Sequence, residues 1–271
     1  MVEYSRYEIA GSYGDKKVIV EHARAKGQSG WLAVLFHGVH GCSTFEGNNK
    51  YGSLGSMLIN NGVDVCLVET SRSRRDREYF GEDRASWARA SFCGKTYAQD
   101  LYDECSALSF ITERFSFSRL CLWGFSLGGI HSLFITGSES KEILMANGLE
   151  EPSFDPANVN LLVLSGVGDS IRDEAGDSLS LPILDCISES GSIQKAASRV
   201  KVPEVVFFYG GDDGTFSELA SRNLFKLMPA SNKVFHIIRG SDHAFRNICG
   251  EPSVRPIEIM VSTLTKDYFM F

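Results

Sequence analysis

A chain of 271 residues, 43% hydrophobic and 23% charged, is long and apolar enough to bury a sizeable core as one domain, residues 1–271. Its formal net charge of −7 gives no basis for a nucleic-acid partner or for attraction to an anionic membrane surface. No run approaches the 18 apolar residues of a membrane span, and the opening MVEYSRYEIAGSYGDKK lacks the basic-then-apolar order of a signal peptide.

In chain order, residues 5–10 and 17–22 read as strands joined by a turn at 11–15. Residues 31–36 (WLAVLF) form a continuous apolar run, as expected of a strand buried on both faces. A helix is predicted over 51–61, and the next strand over 63–68 (VDVCLV). Residues 96–114 carry Leu101, Cys105, Leu108 and Ile111 at three- and four-residue spacing, which predicts a long amphipathic helix. A strand at 119–123 leads into a helix at 127–136. Three further strands follow at 159–165 (VNLLVLS), 204–209 (EVVFFY) and 233–238 (KVFHII). A helix near 217–228 separates the last two, and 257–269 closes the chain. This alternation predicts a mostly parallel central sheet flanked by helices on both faces. The more polar span 168–201 is expected to form a small cap over the site.

The seven cysteines form no C-x-x-C pair, and their odd count and wide spacing argue against a disulfide framework or a zinc site. A reducing cytoplasm is the expected compartment.

Between the fifth strand and its helix stands Gly124-Phe125-Ser126-Leu127-Gly128-Gly129. G-x-S-x-G alone is a weak signal, but a strand-to-helix turn this tight strains its central residue and needs small neighbours. Gly124 and Gly128 supply the room, and Gly129 permits close packing of helix on sheet. Ser126 is thereby expected at the carboxyl edge of the sheet, where open α/β folds bind ligands.

A serine hydroxyl needs a positioned base, itself oriented by an acid. His22 and His236 fall inside strands. His131 lies five residues beyond Ser126, well round the same helix. His37 is expected to brace its loop, and His40 is read either as touching a substrate or as an exposed loop residue. His243, in GSDHAF after the last strand, is the expected base. The acid should follow an earlier strand end: Asp213 in GGDD is preferred, Asp212 is its close competitor, and Asp169 comes third.

GFSLGG, GGDD and GSDHAF, in the order Ser–Asp–His, resemble the α/β-hydrolase superfamily from about Val18 to the C-terminal helix. The resemblance implies an α/β-hydrolase fold with Ser126 as nucleophile, His243 as base and Asp213 as acid. It also implies an oxyanion hole from the backbone N–H groups of Leu127 and of Val39, in the H-G-x loop His37-Gly38-Val39. No metal or organic cofactor is implied. The expected activity is cleavage of a small-molecule carboxylic ester through an acyl-enzyme. Peptidases, thioesterases, carbon–carbon hydrolases, acyltransferases and slow-turnover receptors use the same machinery.

Two features stand apart. Gly94-Lys95-Thr96 is like the end of a phosphate-binding loop but lacks the glycine needed where Arg89 stands. The segment 71–84 (SRSRRDREYFGEDR) reads as a solvated loop with local ion pairs, or as an anion site at the catalytic mouth. Here Glu69-Thr70-Ser71-Arg72-Ser73-Arg74 departs from the superfamily's D-x-R-G-x-G-x-S pattern.

Overall fold

The computed structural model describes residues 3–27, 29–39, 42–46, 49–73, 77–81, 83–172, 181–185, 191–247 and 254–269, with the side chains of residues 77, 78 and 84 excepted. Eight strands make one sheet: β1 (Glu3–Ala10), β2 (Lys17–Arg24), β3 (Trp31–Phe36), β4 (Asp64–Glu69), β5 (Arg119–Phe125), β6 (Val159–Ser165), β7 (Glu204–Gly210) and β8 (Asn232–Ile238). Their spatial order is β1-β2-β4-β3-β5-β6-β7-β8. Only β2 runs against its neighbours, and every pairing from β4 to β8 is parallel.

Burial makes the central strands. All six side chains of β3 are buried, as are six of the seven in β5. Burying a large apolar side chain contributes roughly 1.5–3 kcal/mol, whereas strand propensity spans only about 1 kcal/mol. The apolar run therefore outweighs intrinsic preference at each of these positions. At the edges, β1 alternates between exposed and half-buried residues, and a Lys17–Glu8 ion pair lies across it.

The helices divide between the two faces. Against one lie α1 (Lys50–Asn60) and, after β8, α8 (Arg255–Leu264), which bury Leu54, Leu58, Ile257 and Met260. Against the other lie α2 (Arg84–Phe92), α3 (Tyr97–Arg114), α4 (Leu127–Thr136), α6 (Ser192–Arg199) and α7 (Glu218–Leu227), with the short α5 (Ser140–Ala146) packed on α3. Thr96 opens α3 with a capping box: its side chain accepts from Gln99 N–H while the Gln99 side chain accepts from Thr96 N–H. No helix among the described residues is long and apolar enough to cross a membrane.

Part of the span read as a cap belongs instead to this helical layer. Helix α6 buries Ile193, Ala196 and Ala197 against α4 and α7, and a Cβ on Gly137 would stand 2.5 Å from the Ala196 carbonyl oxygen. Residues 173–180 and 186–190 of that span lie outside the described residues.

A buried lysine ties the antiparallel hairpin to α3. Lys95 Nζ donates to Ser71 O (2.7 Å), Asp100 Oδ1 (2.6 Å) and Asp103 Oδ2 (2.8 Å). Asp103 also accepts from Ser12 N–H in the β1–β2 turn and from Ser71 N–H after β4. Burial pushes the Asp100 carboxyl up, but Lys95 and His131 outweigh it and hold the group at about 2. Gly94-Lys95-Thr96 is thus a structural post.

Arg72, expected in a solvated loop, is buried: it pairs with Glu69 at 2.6 Å and lies over the Trp87 ring. A charge there escapes the full desolvation penalty because it keeps a carboxylate partner and an aromatic face. Residues 74–76 of the same segment lie outside the described residues.

Candidate active site

The chain reverses direction across the sheet between β3 and β5: β4 lies on one side of β3 and β5 on the other. At such a switch point the loops leaving adjacent parallel strands diverge and open a crevice. Phe36 pairs with Gly124, which brings the loop after β3 beside the turn after β5.

Ser126 occupies that turn with φ 52° and ψ −117°, a region a side chain enters only under constraint. The glycines supply it. A Cβ on Gly124 would stand 2.4 Å from Gly128 O; one on Gly128, 2.7 Å from His37 O; one on Gly129, 2.4 Å from Val167 Cγ2. The turn closes through Ser126 N–H to Ser165 O on β6, while Ser126 O accepts from Gly129 and Ile130 N–H.

His243 and Asp213 converge on this serine from two further strand ends. Ser126 Oγ lies 3.0 Å from His243 Nε2, and His243 Nδ1 lies 2.9 Å from Asp213 Oδ2. The other Asp213 oxygen accepts from Thr215 and Phe216 N–H at 2.7 and 3.0 Å, so the carboxylate is fully engaged and buried. Asp212 is exposed; its N–H donates to Ser241 O, zipping the acid turn to the histidine turn. Asp169 is half-buried and accepts from Ser170 Oγ.

The histidine turn is built by its neighbours. Asp242 Oδ1 accepts from Ala244 and Arg246 N–H, Ser241 Oγ donates to Ile238 O, and Phe245 drives its ring into the core beside Phe125. Phe245 itself has a φ of 58°, in the left-handed region.

The loop after β3 lies against Ser126: a Cβ on Gly38 would approach its Cβ to 3.1 Å and Oγ to 3.6 Å. Val39 follows it, and Leu127 opens α4, so the Leu127 N–H has no carbonyl one turn earlier to bond. His37 braces the loop. Its Nδ1 donates to Gly38 O at 2.8 Å and its Nε2 accepts from Thr70 N–H at 3.4 Å, which sets a neutral tautomer. Burial pushes the His37 imidazole below its ordinary value, in keeping with that neutral form. His40 and Gly41 lie outside the described residues.

The remaining histidines stand away from Ser126. His22 stacks on Phe115 and His236 on Phe208. His131 points to α3, where Glu104 lies 3.1 Å away. Burial pushes Glu104 well above the carboxylate range and His131 down to about 4.

Two residues at the site carry no signal in the sequence. The Tyr51 hydroxyl on α1 accepts from Gly38 N–H at 3.2 Å, and its ring meets Phe125 edge-on, so it touches both the loop and the elbow. Gly166, with φ 62°, makes room for His243: a Cβ there would stand 3.2 Å from His243 Nδ1.

No protein-family model matches the sequence, and no curated protein matches it. Solved structures do. A cold-adapted esterase from an Arctic intertidal metagenomic library is 17% identical over 98% of this chain and 94% of that one, with a TM-score of 0.60. An α/β serine hydrolase homologue from Coxiella burnetii is 15% identical over 97% of each chain, at 0.59. A dienelactone hydrolase from Anabaena variabilis is 15% identical over 97% of this chain and 96% of that one, at 0.55. Strand order, helix placement and these likenesses together make this an α/β-hydrolase fold, as the motifs implied.

Proposed function

We propose that the protein is a serine hydrolase that cleaves small-molecule carboxylic esters through an acyl-enzyme. The observation that carries this reading is the unbroken chain Ser126 Oγ–His243 Nε2–His243 Nδ1–Asp213 Oδ2, at 3.0 and 2.9 Å, on a strained elbow. The ester class is supported by the esterases among the structural neighbours.

Nε2 of His243 takes the Ser126 proton as Oγ attacks the ester carbonyl, and Asp213 orients the ring and stabilises the imidazolium. The carbonyl oxygen, now anionic, is held by the N–H groups of Leu127 and Val39, with the N-terminal end of α4 adding partial positive charge. His243 then protonates the leaving alkoxide and the carbonyl reforms as the acyl-enzyme. Water, deprotonated by His243, attacks that carbonyl; collapse releases the acid and returns the proton to Ser126. This cycle needs no metal or organic cofactor. Buried Cys66, Cys105 and Cys121 are free and serve as core hydrophobes, which suits a reducing cytoplasm.

The test is hydrolysis of p-nitrophenyl esters of rising acyl length by the wild type and Ser126→Ala. Turnover that peaks at one length and falls by ~10³ or more in the variant supports the reading. Equal slow turnover in both proteins rules out Ser126 as the nucleophile on these esters.

A further inference from the structure

Helix α4 starts at the elbow and packs against α3 through three polar residues that the proposed reaction does not use. Asp100 and Glu104 lie four residues apart on α3 and share a face, opposite His131 of α4. They are 2%, 1% and 0% exposed. His131 Nδ1 lies 3.1 Å from Glu104 Oε2 and 3.6 Å from Asp100 Oδ2, and one ligand atom from each residue falls within 4.8 Å of the others.

At 3.1 Å the His131–Glu104 contact is close enough for a hydrogen bond, yet none forms. Neither ring nitrogen of His131 has a hydrogen-bond partner, nor does Glu104 Oε2. Buried polar atoms are seldom left so, because each has lost its water without replacement. The three donors of Lys95 are spent on Ser71, Asp100 Oδ1 and Asp103. None of them reaches Glu104.

We propose that Asp100, Glu104 and His131 form a buried site for a divalent transition-metal ion of the zinc type, clamping the nucleophile helix to α3. Bonds of about 2.0–2.2 Å to imidazole and carboxylate put tetrahedral ligand atoms roughly 3.3–3.6 Å apart, within a few tenths of an ångström of the two separations from His131 Nδ1. One ion engages Nδ1 of His131, Oε2 of Glu104 and Oδ2 of Asp100 together and neutralises the cluster. The imidazole donor favours zinc or cobalt over manganese, calcium and magnesium, which prefer oxygen donors. Cysteine and histidine spacing in the sequence does not reveal the set, because its members come from two helices that meet only in the fold.

The experiment is equilibrium dialysis of the chelator-stripped, full-length protein against Zn²⁺, Co²⁺ and Mn²⁺, with Tm measured alongside. The expected result is one tightly held equivalent of zinc or cobalt and a Tm rise of about 5–10 °C at a hundredfold excess over Kd. Both effects should vanish in Glu104→Gln and His131→Gln and survive in Ser126→Ala, which separates this proposal from the ester reading. Zinc-edge X-ray absorption of the loaded wild type needs no variant: outer-shell scattering from one imidazole around a light-atom first shell supports the site, and sulfur or the lack of imidazole scattering overturns it. Absence of a stoichiometric ion, or equal binding by folded Glu104→Gln and His131→Gln, also overturns it.

Discussion

Asp212 and Asp213 are chemically identical neighbours, and their difference lies in what each carboxylate meets. Asp213 is buried, with one oxygen on His243 and the other on two backbone N–H groups, whereas Asp212 is exposed. Under the proposed mechanism Asp213→Asn should lower kcat/KM by ~10⁴, through loss of the correct histidine tautomer. Asp212→Asn should stay within about twofold of wild type, measured on the same ester. Tyr51 acts at one remove, through the Gly38 N–H. Tyr51→Phe should lower kcat by roughly threefold to tenfold with KM and Tm little changed, less than the 10²–10³ typical of losing an oxyanion donor itself. A parallel fall in Tm would instead make its hydroxyl a general structural group.

At the scale of elements, the strongest post is the Lys95 cluster, which joins the β1–β2 turn, the end of β4 and the start of α3. Lys95→Met would leave Asp100 and Asp103 buried without their cation, and removing one partner of such a set typically costs ~3–5 kcal/mol. Urea unfolding should show a midpoint lowered accordingly; an unchanged midpoint would mean that the carboxylates relax to water. The elements differ in how plainly they are written. Strands β3, β6 and helix α4 coincide with their apolar runs because burial dominates them. Helices α2 (RASWARASF) and α6 (SIQKAASR) escape such reading: each is short, and in α2 serine and alanine blur the apolar stripe.

Over the whole molecule, burial lowers the pKa of His22, His37 and His236 alike. Each takes up a proton in the unfolded chain near pH 6.5 but resists it in the fold. The unfolded state then binds more protons, so their contribution to stability is full above about pH 6.5. It is lost as pH falls below that value toward the folded pKa values. A Tm series from pH 7.5 to 5 should decline, and His37→Asn should flatten part of the decline. A Tm that rises on acidification would contradict the neutral, buried state of these rings.

The sequence alone determined the alternation of strands and helices, the strained elbow at Ser126 and the candidates for base and acid, because these depend on local pattern and on tight-turn chemistry. Only the tertiary structure set Asp213 rather than Asp212 against His243, brought Tyr51 and Gly166 beside Ser126 and His243, turned Lys95 and Arg72 inward, and set His131 against Glu104. Those outcomes depend on which strand ends the sheet order makes neighbours, and on which polar atoms lose their water when helices pack. Neither quantity is a property of any short stretch of chain.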